Sequence, residues 1–458
     1  MTLTRRGFVK GTAAGAAWLW VGGGSGAGGS QAMAGGQTAA GGANPGARVD
    51  GAKLRARIEA LSMFGRPAGG TFADGVSRVA YSEADLAARQ WLMQEIRGAG
   101  LEPRIDPAGN IFARRDGTDA AAPPIVFGSH IDSVPSGGNF DGDLGTLAAL
   151  GALEACDRAG IRTRHPLEMA VWAAEEGVAF GRGLASSRIV AGDIARADMD
   201  QMWNGLRRGD GVRMLGGDPD RIMDAVRPKG AHHAYVELHI EQGGTLHTSS
   251  TQIGVVQGIV AIHRYRAVIT GFSNHAGTTP MPQRQDAFVA ASHLAIAVRE
   301  IVTGEPGRQV GTVGHVEVEP NAPNVIPGVV RLTIELRDLS EEKLRRLADG
   351  IQRRAAAIAT ATATRIAISD LSRNPPAFAE MAVQDVIERE AAALGLSAAR
   401  MPSGAGHDAQ MMAQISPMGM IFVPSVGGIS HSPKELTGWA DCTRGADVLL
   451  RTVLALDA

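Results

Sequence analysis

The stretch GSHIDSVPSGGNFDGDLG, residues 128–145, sets one histidine, three aspartates and five glycines between an apolar run and an Ala/Leu-rich one. Three readings compete for it: a metal site, a phosphate loop or a polar turn. The preceding PIVFGSH (124–130) reads as a buried strand and the segment near 143–159 as a helix, so the polar cluster falls where a strand hands over to a helix. A phosphate loop of the G-x-x-x-x-G-K-[ST] kind needs its lysine, and residues 128–145 hold neither Lys nor Arg. That leaves a metal site or a turn.

The same alternation continues outward. LEMAVWAA (167–174), a helical stretch from about 183, and AYVELHIEQG (234–243) predict an α/β fold with a mainly parallel mixed sheet. In such sheets, sites gather at the carboxyl ends of strands. Upstream, helices are predicted near 51–63 and 82–99, followed by a strand near 104–115. The pattern changes near residue 254, where IGVVQGIVAIHRYRAVITGFS reads as two long alternating strands. A helix near 284–303, strands near 309–319 and 328–337, a helix near 340–357 and a strand near 363–370 complete a small α+β sandwich. Residues 375–458 return to helix, strand, helix. The expected organisation is a catalytic α/β domain (49–253 and 373–458) interrupted by an inserted lid or dimerisation domain (254–372).

Apolar residues make up 44% and charged residues 20% of the 458, the balance of a soluble globular chain. With only Cys156 and Cys442, a disulfide framework and a cysteine-based zinc finger are both excluded, so a metal here needs His and carboxylate ligands. TRRGFVK (4–10), the mildly apolar run after it and AMA (32–34) read as a twin-arginine signal over residues 1–34, with a flexible linker at 35–48. The apolar run is too short and glycine-rich for a membrane span. Removing Arg5, Arg6 and Lys10 with no acidic residue leaves the remainder more acidic. The expectation is a periplasmic or secreted protein, exported folded, with no nucleic-acid partner and no membrane contact once the signal is gone.

Four polar clusters follow predicted strands: His130 with Asp132 and Asp141, Glu175 with Glu176, His239 with Glu241, and His431. A lone histidine at a strand end is ordinarily structural. Paired glutamates ending an apolar strand are unfavourable unless a positive charge lies nearby, and a divalent ion supplies one. Together His130, Asp141, Glu176, His239 and His431 form a donor set suited to zinc, with manganese, cobalt or nickel also accommodated. Asp132, two residues after His130, is expected to accept the ring's other N–H. Asp143 is expected to favour the positive N-terminus of the following helix.

These motifs, with SNHAGTTPM, PNVIPGVVRLTIELRD, SGAGHDA and ISHSPKE, resemble the M20 metallopeptidase-like amidohydrolases, and most of all the group that cleaves N-carbamoyl-L-amino acids, N-carbamoyl-β-alanine and allantoate. The resemblance runs in order from about residue 55 to 455 and implies a zinc-peptidase-like catalytic domain. It implies two divalent metals: one held by His130, Asp141 and His239, the other by Asp141, Glu176 and His431. It further implies Glu175 as general base, His275 as oxyanion stabiliser reaching a partner subunit, and Asn324 and Arg337 on the substrate's carboxylate. Gln242 and Gly406 are weaker candidates for the ureido group, and His407 for a supporting role. Ser129, Ser430 and Cys156 are discounted as nucleophiles, and His165, His232, His233, His247, His263, His293 and His315 are expected to be structural or on the surface.

The resulting expectation is a homodimeric amidohydrolase acting on a small ureido or carbamoyl acid, foremost an N-carbamoyl-L-amino acid, with allantoate or N-carbamoyl-β-alanine next. An aminoacylase or peptidase of the same family is disfavoured by His239, where more distant relatives carry a carboxylate. A binding protein without catalysis is disfavoured by Glu175, which a binder does not need.

Overall fold

The computed structural model describes residues 46–458. The signal assigned to 1–34 and most of the linker assigned to 35–48 lie outside the described residues. Two sheets carry the architecture. Nine strands form a mixed sheet whose centre is parallel: Leu167–Trp172, Ile125–His130, Ala234–Ile240 and Met418–Val423 lie side by side and run the same way. Every residue of these four strands is buried, which explains their continuous apolar reading. Helices Asp143–Arg158 and Trp439–Leu456 pack on one face through Leu147, Leu150, Leu449 and Val453.

The expected single strand near 104–115 is instead a hairpin, Pro103–Ile105 against Ile111–Arg115. The turn residues decide this. Gly109 takes a left-handed φ of 87°, and the Asp106 carboxylate accepts from both the backbone and side-chain N–H of Asn110.

The second sheet has four antiparallel strands in the order Val310–Glu319, Val329–Asp338, Ala261–Thr270, Arg365–Asn374. Its central strands alternate strictly between buried positions and half-exposed or exposed ones. Helices Ala287–Gly304 and Glu341–Ala361 cover one face, and Leu294, Val298, Leu344, Leu347 and Ile351 form a core separate from that of the large sheet. Helix Ala287–Gly304 is long and apolar enough to cross a membrane by composition, yet its apolar stripe is spent on this core.

The boundary expected at residue 254 is corrected by the pairing. Ile253–Ile259 bonds to Met418–Val423 and Ala398–Ser403 in the large sheet, and the small sheet begins at Ala261. Ile253–Ile259 is buried at all but Gln257 whereas Ala261–Thr270 alternates, and only Val260 separates the two strands, so sequence patterning places the division too early.

Candidate metal centre

The four adjacent parallel strands deliver their carboxyl ends to one place. His130 ends the first, Glu175 and Glu176 follow the second by three and four residues, His239 sits near the end of the third, and His431 lies on the loop after the fourth. Asp141 joins them from the turn before helix Asp143–Arg158. Gly142 makes that turn possible. Its φ is 70°, and a Cβ there would come within 2.5 Å of the His130 ring.

Asp141 stands at the centre. Its Oδ1 lies 3.1 Å from His239 Nε2 and 3.6 Å from His130 Nε2, while Oδ2 lies 3.3 Å from His431 Nε2. His431 Nε2 is also 3.3 Å from Glu176 Oε2. Two groups of potential ligands therefore share Asp141: His130, Asp141 and His239, and Asp141, Glu176 and His431. Glu175 faces the first, with Oε2 3.8 Å from His130 Nε2.

Two of the imidazoles, His130 and His239, are held in the tautomer that ligation requires. His130 Nδ1 is 3.0 Å from the Asp132 carbonyl and His239 Nδ1 is 2.9 Å from the Ile240 carbonyl. A carbonyl only accepts, so each Nδ1 carries the proton and a neutral ring presents a bare Nε2. His239 Nε2 is buried without a hydrogen-bond partner of acceptable geometry, despite its short distance to Asp141. An orphaned ring nitrogen among carboxylate oxygens fits a divalent cation.

The electrostatics require the same charge. Burial and the neighbouring Glu176 push the Glu175 carboxyl well above its ordinary range, and burial with Asp141 does so for Glu176. Burial raises Asp132 to about 6 and lowers His130 to about 4. Burial opposes ionisation of both Asp141 and His239, but their contact overcomes it: His239 is raised to about 9 and Asp141 is held well below the usual carboxylate range. A divalent cation between them would supply the positive charge that otherwise has to come from a proton on His239.

Asp132 departs from its expected role. Its carbonyl, not its carboxylate, orients His130, and the carboxylate oxygens accept from the backbone N–H groups of Glu175 (3.1 Å) and Glu176 (3.2 Å). The loop after a neighbouring strand leaves these amides needing an acceptor, and Asp132 is the nearest. Asp143 also differs. It begins the helix as expected, but its principal partner is the buried Arg78, whose Nη2 lies 2.7 Å from Oδ1. Even so, burial pushes Asp143 up to about 7.

Gln242, expected on the substrate, donates from Nε2 to Asp141 Oδ2 at 2.8 Å, leaving its buried Oε1 without a partner. Its φ of 59° and that of His431, 53°, are left-handed, as is that of Ala174 just before Glu175, 57°. Three non-glycine residues in sparsely populated conformations around one cluster mark backbone geometry subordinated to side-chain placement.

Sequence reasoning missed Glu435. Its Oε1 accepts from the backbone N–H groups of Phe140 (3.0 Å) and Asp141 (3.1 Å), and Oε2 accepts from Ser430 Oγ (2.8 Å), which also reaches Asp141. The signal was available in ISHSPKE, four residues after His431. Glu237 was missed as well. It is fully buried mid-strand, accepts from Ser129 Oγ at 2.7 Å and Ala409 N–H at 3.0 Å, and shares a face with His239 by its i, i+2 spacing. Ser129 and Ser430 thus serve carboxylates, and Cys156 is a buried free thiol.

A cavity of about 350 Å³ opens over the cluster, lined by the five potential ligands, Glu175, Gln242, Gly406 and His407, and by Arg264 and Arg337 from the small sheet. Arg264, also missed, shares Glu335 with Arg337: their guanidinium nitrogens lie 2.6 and 2.7 Å from its two oxygens. Arg337 also donates to the Gly404 carbonyl at 2.6 Å. His407 is buried with its ring centroid 4.4 Å from that of His239, and bonds Ser403 at 2.9 Å. None of the seven histidines expected to be structural lines this cavity.

His275 and Asn324 do not line it either. They lie beside one another at the end of the small sheet, where His275 bridges Val325 and Ala276 N–H donates to the Asn324 carbonyl. His275 is exposed, and its Nδ1 accepts from the backbone N–H groups of Gly277 (3.0 Å) and Thr278 (3.2 Å), which leaves the proton on Nε2.

Residues 126–455 match Peptidase family M20/M25/M40. The chain is 37% identical over 407 residues to an N-carbamoyl-L-amino-acid amidohydrolase of Paenarthrobacter aurescens, covering 88% of this chain and 98% of that protein. It is 34% identical to the allantoate amidohydrolase of Bacillus subtilis, covering 83% and 91%. A hydantoinase/carbamoylase family amidase from Burkholderia multivorans superposes with a TM-score of 0.82 at 34% identity, over 90% of this chain and 98% of that one.

Proposed function

Because this chain belongs to peptidase family M20/M25/M40 and is an enzyme for non-peptide C–N bonds, we propose that it hydrolyses the ureido group of an N-carbamoyl-L-amino acid, yielding the amino acid, ammonia and carbon dioxide. One observation carries the proposal: the two oxygens of Asp141 face two different ligand groups, with Glu175 beside them in the same cavity.

His130, Asp141 and His239 would hold one divalent ion and Asp141, Glu176 and His431 a second, with zinc best suited to this set of imidazoles and carboxylates. Such a pair, when bound, makes water acidic enough to attack at neutral pH and polarises the ureido carbonyl. Glu175 takes the proton of the attacking water and returns it to the leaving nitrogen. Its neighbour Glu176 is committed to ligation, and the Asp132 carboxylate fixes the backbone of both. Gln242 Oε1, buried and unpaired, accepts from the ureido N–H₂. Arg337 and Asn324 hold the α-carboxylate, and the Nε2–H of His275 donates to the developing oxyanion.

His275 and Asn324 are outside the cavity lining of their own chain, which supports a homodimer in which each small sheet completes the partner's site. The exposed Val316 on the edge strand of the small sheet supplies apolar surface for such contact. Export through the twin-arginine signal, folded and metal-loaded, completes the reading, and the N-terminal sequence of the mature protein tests it.

Assaying ammonia release by the metal-reconstituted enzyme from N-carbamoyl-L-amino acids, N-carbamoyl-β-alanine and allantoate tests the substrate assignment. The first class should dominate in kcat/KM. Preference for allantoate reassigns the substrate within the same chemistry, and cleavage of acyl or peptide substrates alone overturns the carbamoyl reading.

A further inference from the structure

A second chamber of about 490 Å³ adjoins the site and shares Gln242, Arg337 and Ala405 with it. Its remaining walls are mostly apolar, with Val260, Val310, Met401 and Pro402 among them. Any substrate held by Arg337 and presenting its ureido group to Gln242 has this chamber open to its side chain.

The charges in the chamber are unequal in availability. Glu241 is buried, and its two oxygens each accept a backbone N–H, from Thr245 and Leu246, both at 2.7 Å. Arg337, braced by Glu335 and the Gly404 carbonyl, is assigned to the α-carboxylate in the reading above. Arg308 is different: among the described residues it makes no hydrogen bond and no ion pair. It stands two residues before Val310, whose cross-strand partner is Arg337. A guanidinium lining a mostly apolar chamber, with no acid of its own among the described residues, matches a side chain of a few methylenes ending in a carboxylate.

We propose that Arg308 determines side-chain specificity and that the favoured substrates are N-carbamoyl-L-amino acids with an acidic side chain. This rests on the carbamoyl reading above and narrows it. The methylene stem packs against Val260, Val310 and Met401, and the terminal carboxylate meets the Arg308 guanidinium.

N-carbamoyl-L-glutamate and N-carbamoyl-L-glutamine have nearly the same shape and differ in charge, so their ratio of kcat/KM isolates this contact. In the wild-type enzyme the glutamate derivative should be favoured by roughly ten- to a hundredfold. Arg308→Gln should bring the ratio near one, Arg308→Glu should invert it, and Arg308→Lys should retain a preference for the acid. Arg308 is exposed, so these variants should fold, and equal melting temperatures verify it. Ammonia release from both substrates with a ratio that does not respond to Arg308 overturns the assignment of Arg308 alone. No ammonia from either substrate overturns the carbamoyl reading on which it rests.

Discussion

The ends of the two sheets that bear on the reaction are built differently. At the carboxyl edge of the large sheet, all the groups but the exposed His431 have a brace: carbonyls for His130 and His239, Gln242 and Ser430 for Asp141, and the Asp132 carboxylate for the amides of Glu175 and Glu176. At the end of the small sheet, His275 is exposed and braced only by two amides of its own turn. The lesson is a division of labour. On the proposed reading, the large sheet fixes chemistry in advance, and the small sheet brings groups to it.

The sharpest break of this comparison is Glu175→Gln. Turnover should fall by about 10³-fold or more while metal content stays at the wild-type level by elemental analysis. Unchanged turnover removes Glu175 as the base.

Next comes His275→Asn, expected to lower kcat by about 10²-fold with little effect on metal binding. Mixing this variant with Glu175→Gln subunits sharpens the point. If His275 serves the partner's site, hybrid dimers of two nearly inactive variants contain one intact site and regain activity; if it serves its own, mixing restores nothing.

Glu435→Gln tests bracing at one remove. The variant should bind metal roughly tenfold more weakly by titration calorimetry, because the backbone of Asp141 loses a charged acceptor. The smallest effect belongs to Gly142→Ala, which sets a methyl against the His130 ring in a left-handed turn. A loss of about 1–3 kcal/mol in denaturant unfolding is expected. An equally large loss on Gly277→Ala, beside the exposed His275, would erase the contrast between the two sheets.

Much of this was legible in the sequence for a physical reason. Strands buried on both faces are mostly apolar, so the polar residues that end them stand out, as His130 after PIVFGS and Glu175 after VWAA. The small sheet was legible because one face is covered and its strands alternate, as in AIHRYRAVIT. The unread parts depend on what the chain meets far away. Glu435 braces residues almost 300 positions earlier, and Arg78 reaches Asp143 across 65. Asp132 was assigned to the correct neighbour through the wrong atom, since spacing along a strand says which residues are close but not whether carbonyl or carboxylate makes the bond. The hairpin at 103–115 was misread because its turn, DPAGN, is short enough to pass inside one apolar window.

The double attachment of Asp132 has a consequence for how such an enzyme can change. One residue ties the end of the strand Ile125–His130 to the loop carrying Glu175 and Glu176, so the lengths of these two segments are geared together: a residue gained or lost in either pulls a ligand and the base out of place at once. No such coupling restrains Arg308 on its exposed segment. On the proposed reading, new substrates are therefore most easily acquired from that side, by exchanging single side chains while the gearing beneath the candidate metal centre stays untouched.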